Sequence, residues 1–328
     1  MNKKRLERLT QTPGPSGYED PIRAVITEEL KDRVDEVRTD ALGSLVGFRS
    51  GANHDQTLLL AAHMDEIGLM VTHVEEKGFV RFTSVGGLRT INSVGSRVQF
   101  ANGTLGTVAV ERRENGSTLP HLRHLYIDVG ATSREDAPVG VGDTATFIGP
   151  LATQGSRWIS KAMDDRIGCY ILIELLERLD QPANDVFFVF STQEEITLSG
   201  ARTSAFRIDA DMAVSIDVTS TGDTPKALPM DVALGEGPAI KVKDSGMIAH
   251  PDVRDRMIAV AEAHSIPYQL EVLLRGSTDA AAMQLVRGGV PSGCVSIPCR
   301  YVHSTTETVD EADVEHAIQI LHAMIQSS

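Results

Sequence analysis

Five short stretches of this chain bring imidazole and carboxylate groups together in combinations that suit a metal ion. They are His63-Met64-Asp65, Met163-Asp164-Asp165-Arg166, Gln193-Glu194-Glu195, Ser215-Ile216-Asp217 and Arg300-Tyr301-Val302-His303-Ser304. Nitrogen and carboxylate oxygen without a thiolate is a donor set for zinc, cobalt or manganese. A carboxylate shared between two ions ~3.5–4 Å apart would give the geometry of hydrolytic two-metal sites. Each stretch taken alone has a plainer reading. A single histidine is often structural, Asp164 could cap a helix, and Glu194 and Glu195 could lie in a solvated loop. Neighbouring acids on extended chain point to opposite sides, so Glu194 and Glu195 can also hold different jobs, one binding metal and one facing a substrate.

The elements around these stretches favour the joint reading. Residues 56–60 form an apolar run that reads as a buried strand ending just before His63. A Phe-rich strand at 185–190 precedes Glu194, a strand at 210–218 carries Asp217, and a strand at 293–297 precedes His303. Ligands bind at the carboxyl ends of strands in open α/β sheets, where four of the five stretches fall. The fifth opens a helix over 164–179 that is apolar almost all round and therefore buried.

The remaining pattern completes a layered α/β arrangement. Helices are expected at 2–10, 19–31, 252–264, 278–286 and from about 310, with strands at 34–39, 44–48 and 268–274. From about Gly68 to Gly149 the texture changes to short β-prone runs separated by Gly86-Gly87, Ala101-Asn102-Gly103 and Glu114-Asn115-Gly116, with one short helix around 133–137. The fold class is α/β: a layered αβα catalytic unit with a mainly parallel sheet, spanning 1–66 and 154–328, interrupted by a small β-barrel at 67–153.

Composition narrows the partners. The 328 residues carry a net charge of −14, which argues against nucleic acid or an anionic membrane as the main partner. No run approaches the ~20 apolar residues of a membrane helix, and the N-terminus lacks the apolar core of a signal peptide. Three cysteines, Cys169, Cys294 and Cys299, do not make a disulfide framework, and a reducing, cytoplasmic setting is expected. They read as buried thiols, and His250 and Trp158 as structural residues. His121-Leu122-Arg123-His124 reads as a surface or interface loop of the β region.

In order and together, the five stretches resemble the tetrahedral (TET) aminopeptidase family, which includes glutamyl and deblocking aminopeptidases and some members named endoglucanase. The resemblance extends through Leu125-Tyr126-Ile127-Asp128-Val129-Gly130-Ala131, Gly276-Ser277-Thr278-Asp279-Ala280 and Asp313-Val314-Glu315. It implies two divalent metal ions, with His63 and Asp217 on one, Glu195 and His303 on the other, and Asp164 bridging, Asp165 being the alternative bridge. It further implies that Glu194 is the general base for a metal-activated water, that Asp65 supports His63, and that the substrates are short peptides cut at the N-terminus. A homo-oligomer is implied as well: dimers, assembled through the β-barrel, that build a hollow dodecamer. The sequence departs from the family at Ile196-Thr197-Leu198-Ser199-Gly200 and at Gly276-Ser277, near the expected site. The competing readings are a hydrolase of acylated amines or β-glucan and a catalytically silent homologue.

Overall fold

The computed structural model describes residues 1–112 and 119–327, so the turn expected at Glu114-Asn115-Gly116 lies outside the described residues. Two helices open the chain, α1 (Lys3–Gln11), capped by the Asn2 side chain, and α2 (Asp20–Leu30), with Pro21 in its first turn. Strands β1 (Glu36–Thr39), β2 (Leu45–Arg49) and β3 (Thr57–His63) follow. Next come β4 (Gly68–Val74), β5 (Val80–Val85), one turn of helix α3 (Thr90–Ser93), β6 (Arg97–Phe100), β7 (Leu105–Val110), β8 (Leu125–Asp128) and β9 (Thr144–Phe147). The chain continues through β10 (Ala152–Gln154), β11 (Arg157–Ser160), α4 (Met163–Arg178), β12 (Asp185–Ser191), α5 (Glu194–Thr197), α6 (Ser199–Ile208) and β13 (Met212–Thr219). It closes with β14 (Ala239–Lys243), α7 (Pro251–Ala263), β15 (Gln269–Val272), α8 (Asp279–Met283), β16 (Ser292–Pro298), β17 (Glu307–Asp310) and α9 (Glu311–Gln326).

The large sheet has the order β1-β2-β12-β3-β13-β16-β14-β15. Its centre is parallel: β12 and β13 flank β3, and β16 joins β13 in the same sense. These strands are apolar on both faces because helices cover both, as parallel sheets require. On one side, α4 is buried from Met163 to Leu176, which explains why its apolar residues run all the way round. Trp158 and Tyr170 meet edge to face beneath α1, with ring centroids 6.0 Å apart.

Register carries the chemistry. In the β3/β12 pair Ser191 lies opposite His63, so the Glu194-Glu195 turn must emerge beside the imidazole. In the β13/β16 pair Asp217 lies opposite Ser296, at the same edge of the sheet. A short link after β3 leads into a closed six-stranded barrel, β4-β5-β8-β7-β6-β9, filled by Leu69, Val80, Phe82, Val98, Val108 and Ile127. Alternation is plain in β6, where Arg97 and Gln99 face water and Val98 and Phe100 face the core. No described helix is long and apolar enough to cross a membrane.

Several local readings differ from the sequence expectation. Residues 133–137 form a turn, because Asp136 accepts hydrogen bonds from Thr132 and Ser133 and so competes with helical pairing. Helix α6 is not among the expected elements: its buried face is Gly200, Ala201, Ser204, Ala205 and Ile208, too small and polar to register as an apolar stripe. Gly200 is required there, since a Cβ would lie 2.4 Å from the Thr192 amide nitrogen. Strand β14 is a second addition. It contains Lys241, which is buried only because its ammonium pairs with Glu271 at 2.8 Å.

Candidate metal centre

The site forms where β3, β12, β13 and the β16–β17 loop end together. His63, the last residue of β3, is 1% exposed and points Nε2 at Asp164 Oδ1, 3.0 Å away. From the other side, His303 Nε2 lies 3.2 Å from Asp164 Oδ2 and 3.2 Å from Glu195 Oε2. Asp164 thus offers one carboxylate oxygen to each histidine. Glu194 Oε2 stands 3.8 Å and Asp217 Oδ1 4.0 Å from His63 Nε2.

The first turn of α4 decides which of the two aspartates faces this cluster. Asp164 and Asp165 are both outside helical φ/ψ, with a cis peptide bond between them. Asp165 turns inward, accepting from the His63 amide at 3.2 Å and from the Gly168 amide at 3.1 Å, the bond of an N-cap. The capping role that could fall to Asp164 therefore belongs to Asp165, and Asp164 is left for the cluster.

Asp65 sits behind His63. Its backbone carbonyl is 3.2 Å and its carboxylate 3.5 Å from His63 Nδ1, which directs Nε2 towards Asp164. The same carboxylate accepts from the amides of Glu194 and Glu195, at 3.0 and 3.2 Å, so one side chain joins two of the sequence stretches. Non-glycine residues at positive φ gather at these turns. Ala162, Gln193 and Leu198 flank the acids, and Tyr301 and His303 shape the last loop. Such conformations cost of order 1–3 kcal/mol each and are retained where the surroundings enforce them.

Three supporting residues are not among the site residues expected from the sequence. Glu307 accepts from the His303 amide at 2.7 Å and from the Asp164 amide at 3.0 Å, tying two of the cluster's loops together. It is a buried acid on β17, and burial with the nearby Asp164 charge pushes its carboxyl up to about 8. Asp279 accepts from the Ser191 hydroxyl below Glu194, and burial raises its carboxyl to about 6. Ser16 donates its hydroxyl to Asp65 at 2.5 Å from the Pro-rich N-terminal loop. The Pro13-Gly14-Pro15 run signals a turn there, but nothing local connects it to a site 49 residues away.

The barrel also reaches the cluster. Gly86 and Gly87, directly after β5, lie on it so closely that a Cβ on Gly87 would be 2.8 Å from His303 Nδ1 and one on Gly86 3.1 Å from Glu195 Oε2. The glycine pair is a condition of that close approach. His121 and His124 lie on the barrel surface and His250 at the start of α7, none of them in the cluster. Cys169, Cys294 and Cys299 are free and buried, and burial raises all three thiols.

The electrostatics favour a bound cation. Burial alone would push the His63 imidazole down, but Glu194, Asp164 and Asp65 override it and hold it well above its ordinary value. His303 is raised in the same way by Asp164 and Glu195. Burial raises Glu194 and Asp217 strongly, helped by the acids around them, despite the attraction of His63. Asp164 goes the other way: burial works against its charge, but bonds from both histidines hold it below the carboxylate range. Glu195 Oε1 is buried with no hydrogen-bond partner among the described residues. Clustered buried carboxylates with an orphaned oxygen are costly unless a positive charge is supplied. Donor atoms of His63, Asp164 and Glu195, and again of His63, Glu194 and Asp217, lie within 4.8 Å of one another. The donor set fits divalent metal ions. All of these residues except the enclosed His63 and Asp65 border a cleft of about 460 Å³.

The Ser16 contact leads to a direct expectation. Ser16→Ala removes the hydroxyl from a fully buried carboxylate, a loss worth about 1–3 kcal/mol. Thermal unfolding should show that loss, and Ser16→Thr, which keeps the hydroxyl, should recover most of it. An unchanged melting temperature in the alanine variant would mean that Ser16 does not hold Asp65.

Comparison with known proteins agrees with the ordered motifs. The model of the M42 glutamyl aminopeptidase family matches residues 43–320. The lysyl aminopeptidase of Pyrococcus furiosus is 34% identical over 348 residues, covering 98% of this chain and 96% of that protein. Among solved structures, the aminopeptidase APDkam598 of the archaeon Desulfurococcus kamchatkensis superposes with a TM-score of 0.96 at 39% identity, covering 99% of this chain and 94% of that one. The TET1 peptidase of Pyrococcus horikoshii, which can assemble into a tetrahedron or a large octahedral shell, gives 0.89 at 31% identity over 99% of each chain. With most of its length matched by the family model and nearly all of it superposing on these relatives, the chain belongs to the M42 glutamyl aminopeptidase family.

Proposed function

We propose that this cleft removes N-terminal residues from short peptides with the help of two divalent cations. His63 and Asp217 would hold one, Glu195 and His303 the other, and Asp164 both. The observation that carries this reading is the position of Asp164, one oxygen at 3.0 Å from His63 and the other at 3.2 Å from His303. Bound there, zinc, cobalt or manganese supplies Lewis acidity that polarises a peptide carbonyl and lowers the pKa of a water towards neutrality.

The chain's own groups supply the rest. Glu194 Oε2 lies 3.8 Å from His63 Nε2 with its carboxyl raised by burial, which suits a group that takes a proton from the attacking water and returns it to the leaving amine. Its backbone is anchored on Asp65, so the base and the orientation of His63 are set by one carboxylate. Asp65 acts through His63 and the acid turn, without contacting the reacting atoms. The barrel, placed next to the cleft by Gly86 and Gly87, would serve assembly into dimers and a dodecamer; the shells built by the Pyrococcus horikoshii relative support this.

The test is a panel of aminoacyl-anilides with metal-free protein and with added Co²⁺ or Zn²⁺. Metal-dependent release is expected on at least one member and should vanish on chelation; folded, metal-loaded protein that cleaves none would sink the proposal. Cation uptake should also expel protons, because both histidines are held protonated above their ordinary value. Calorimetric titrations in buffers of different ionisation enthalpy should show that release, with apparent affinity weakening as pH falls. Stability of the metal-free protein should run the other way. A raised imidazole stabilises fully below its ordinary value and loses that contribution as pH rises through its folded value, and the raised carboxyls of Glu194 and Asp217 act in the same sense. Metal-free protein should therefore melt lower as pH rises from about 6 towards about 9, and metal should remove most of that slope; a flat metal-free profile would contradict it.

A further inference from the structure

We propose that Glu19 is a positioning residue for the acid turn, holding the Gln193 amide so that Glu194 keeps its aim into the cleft. The inference rests on the aminopeptidase reading with Glu194 as the base, and extends it to a loop that carries no metal donor. Four successive amides follow the end of β12, those of Thr192, Gln193, Glu194 and Glu195, and each donates to a side chain from elsewhere in the chain. Thr192 bonds Ser44 Oγ at 3.3 Å, Gln193 bonds Glu19 Oε1 at 3.1 Å, and Glu194 and Glu195 take one oxygen each of Asp65. The shape of the turn is therefore imposed from outside. Gln193 needs that most, because it sits at a φ of +56°, which a non-glycine residue holds only under constraint. Its carbonyl also accepts from the Thr197 amide at 3.1 Å, closing the turn of α5 that bears both acids.

Glu19 has no nearer task that explains its place. It stands at the N-cap of α2, yet its side chain makes no cap bond there among the described residues. Its Oε1 instead accepts from the Gly17 amide at 2.7 Å and from the Gln193 amide, 174 residues away. Glu19 is buried, and burial together with the Asp65 charge raises its carboxyl, so keeping an acid at this point works against stability. The loop that carries it is docked firmly. The Gly14 carbonyl accepts from the Glu66 amide at 3.0 Å, and Ser16 bonds Asp65. From one loop, then, Ser16 grips Asp65 and Glu19 grips Gln193, the two residues that carry the acid turn.

The experiment uses the full chain loaded with Co²⁺ or Zn²⁺ and an aminoacyl-anilide that it cleaves, at a temperature well below the unfolding midpoint of every variant. In Glu19→Ala we expect kcat to fall by about ten- to a hundred-fold, the scale for displacing a catalytic group by ~1 Å, with KM little changed and both cations retained. Glu19→Gln keeps an acceptor oxygen for both amides and should retain most of kcat. Glu19→Asp keeps the charge but withdraws the oxygen by one methylene, and should lose kcat as the alanine variant does. The double variant with Glu194→Gln shows how Glu19 acts. If it works through Glu194, adding Glu19→Ala to Glu194→Gln costs little beyond Glu194→Gln alone. Should the alanine variant fail to fold, Glu19→Asp takes its place in both comparisons. An active Asp variant beside an inactive Gln variant, an additive loss in the double variant, a cation lost in parallel with activity, or unchanged kcat in Glu19→Ala would each overturn the proposal and leave the aminopeptidase reading standing. Full activity in Glu194→Gln would instead overturn the base, and this role of Glu19 with it.

Discussion

Glu194→Gln should lower kcat by a factor of about 10²–10⁴, the range for removing a general base, while leaving both cations bound and KM little changed. The substitution keeps the shape of the side chain and its backbone anchor on Asp65 at 3.0 Å, and removes only the ability to carry a proton. The acidic limb of the pH–rate profile, which reports deprotonation of this carboxyl, should disappear with it. Removing one buried negative charge from the cluster should also raise the melting temperature of the metal-free protein, since burial and the neighbouring acids oppose that charge. Metal analysis decides the role. Because Glu194 has an oxygen within the same 4.8 Å grouping as His63 and Asp217, it is placed well enough to bind metal. Loss of one equivalent of cation in Glu194→Gln, in parallel with activity, would make it a ligand and require a different base.

The second large effect separates two adjacent aspartates. Asp164→Ala should lose both cations and bring activity to background, because its two oxygens face His63 and His303. Asp165→Asn should keep most of the metal and lose stability, by about 1–3 kcal/mol, since its carboxylate accepts from two buried amides and an asparagine can serve only one without turning an NH₂ donor towards the other. Metal content by atomic emission, measured alongside thermal unfolding, distinguishes the two roles. Metal loss in Asp165→Asn with retention in Asp164→Ala would reverse the assignment.

The range of each interaction sets how much of this is legible in the sequence. His63, Glu194, Glu195, Asp217 and His303 stand out because each lies at or just after the end of an apolar strand, and the ends of parallel strands converge on one edge. The choice between Asp164 and Asp165 is not legible, since both are acids at the mouth of one helix and only the local backbone turn separates them. The supporting roles of Ser16, Asp279 and Glu307 are not legible because they act on backbone amides and side chains far along the chain.

By itself, then, the sequence determined the α/β alternation, the inserted β region and the donor set, since periodicity and strand-end residue types are local properties. The tertiary structure decided what depends on register and close approach. It put Ser191 opposite His63 so that the acid turn meets the imidazole, and turned Asp165 inward so that Asp164 faces both histidines. It also laid Gly86 and Gly87 over Glu195 and His303, which brings Arg89 to the mouth of a cleft built mostly from the other end of the chain.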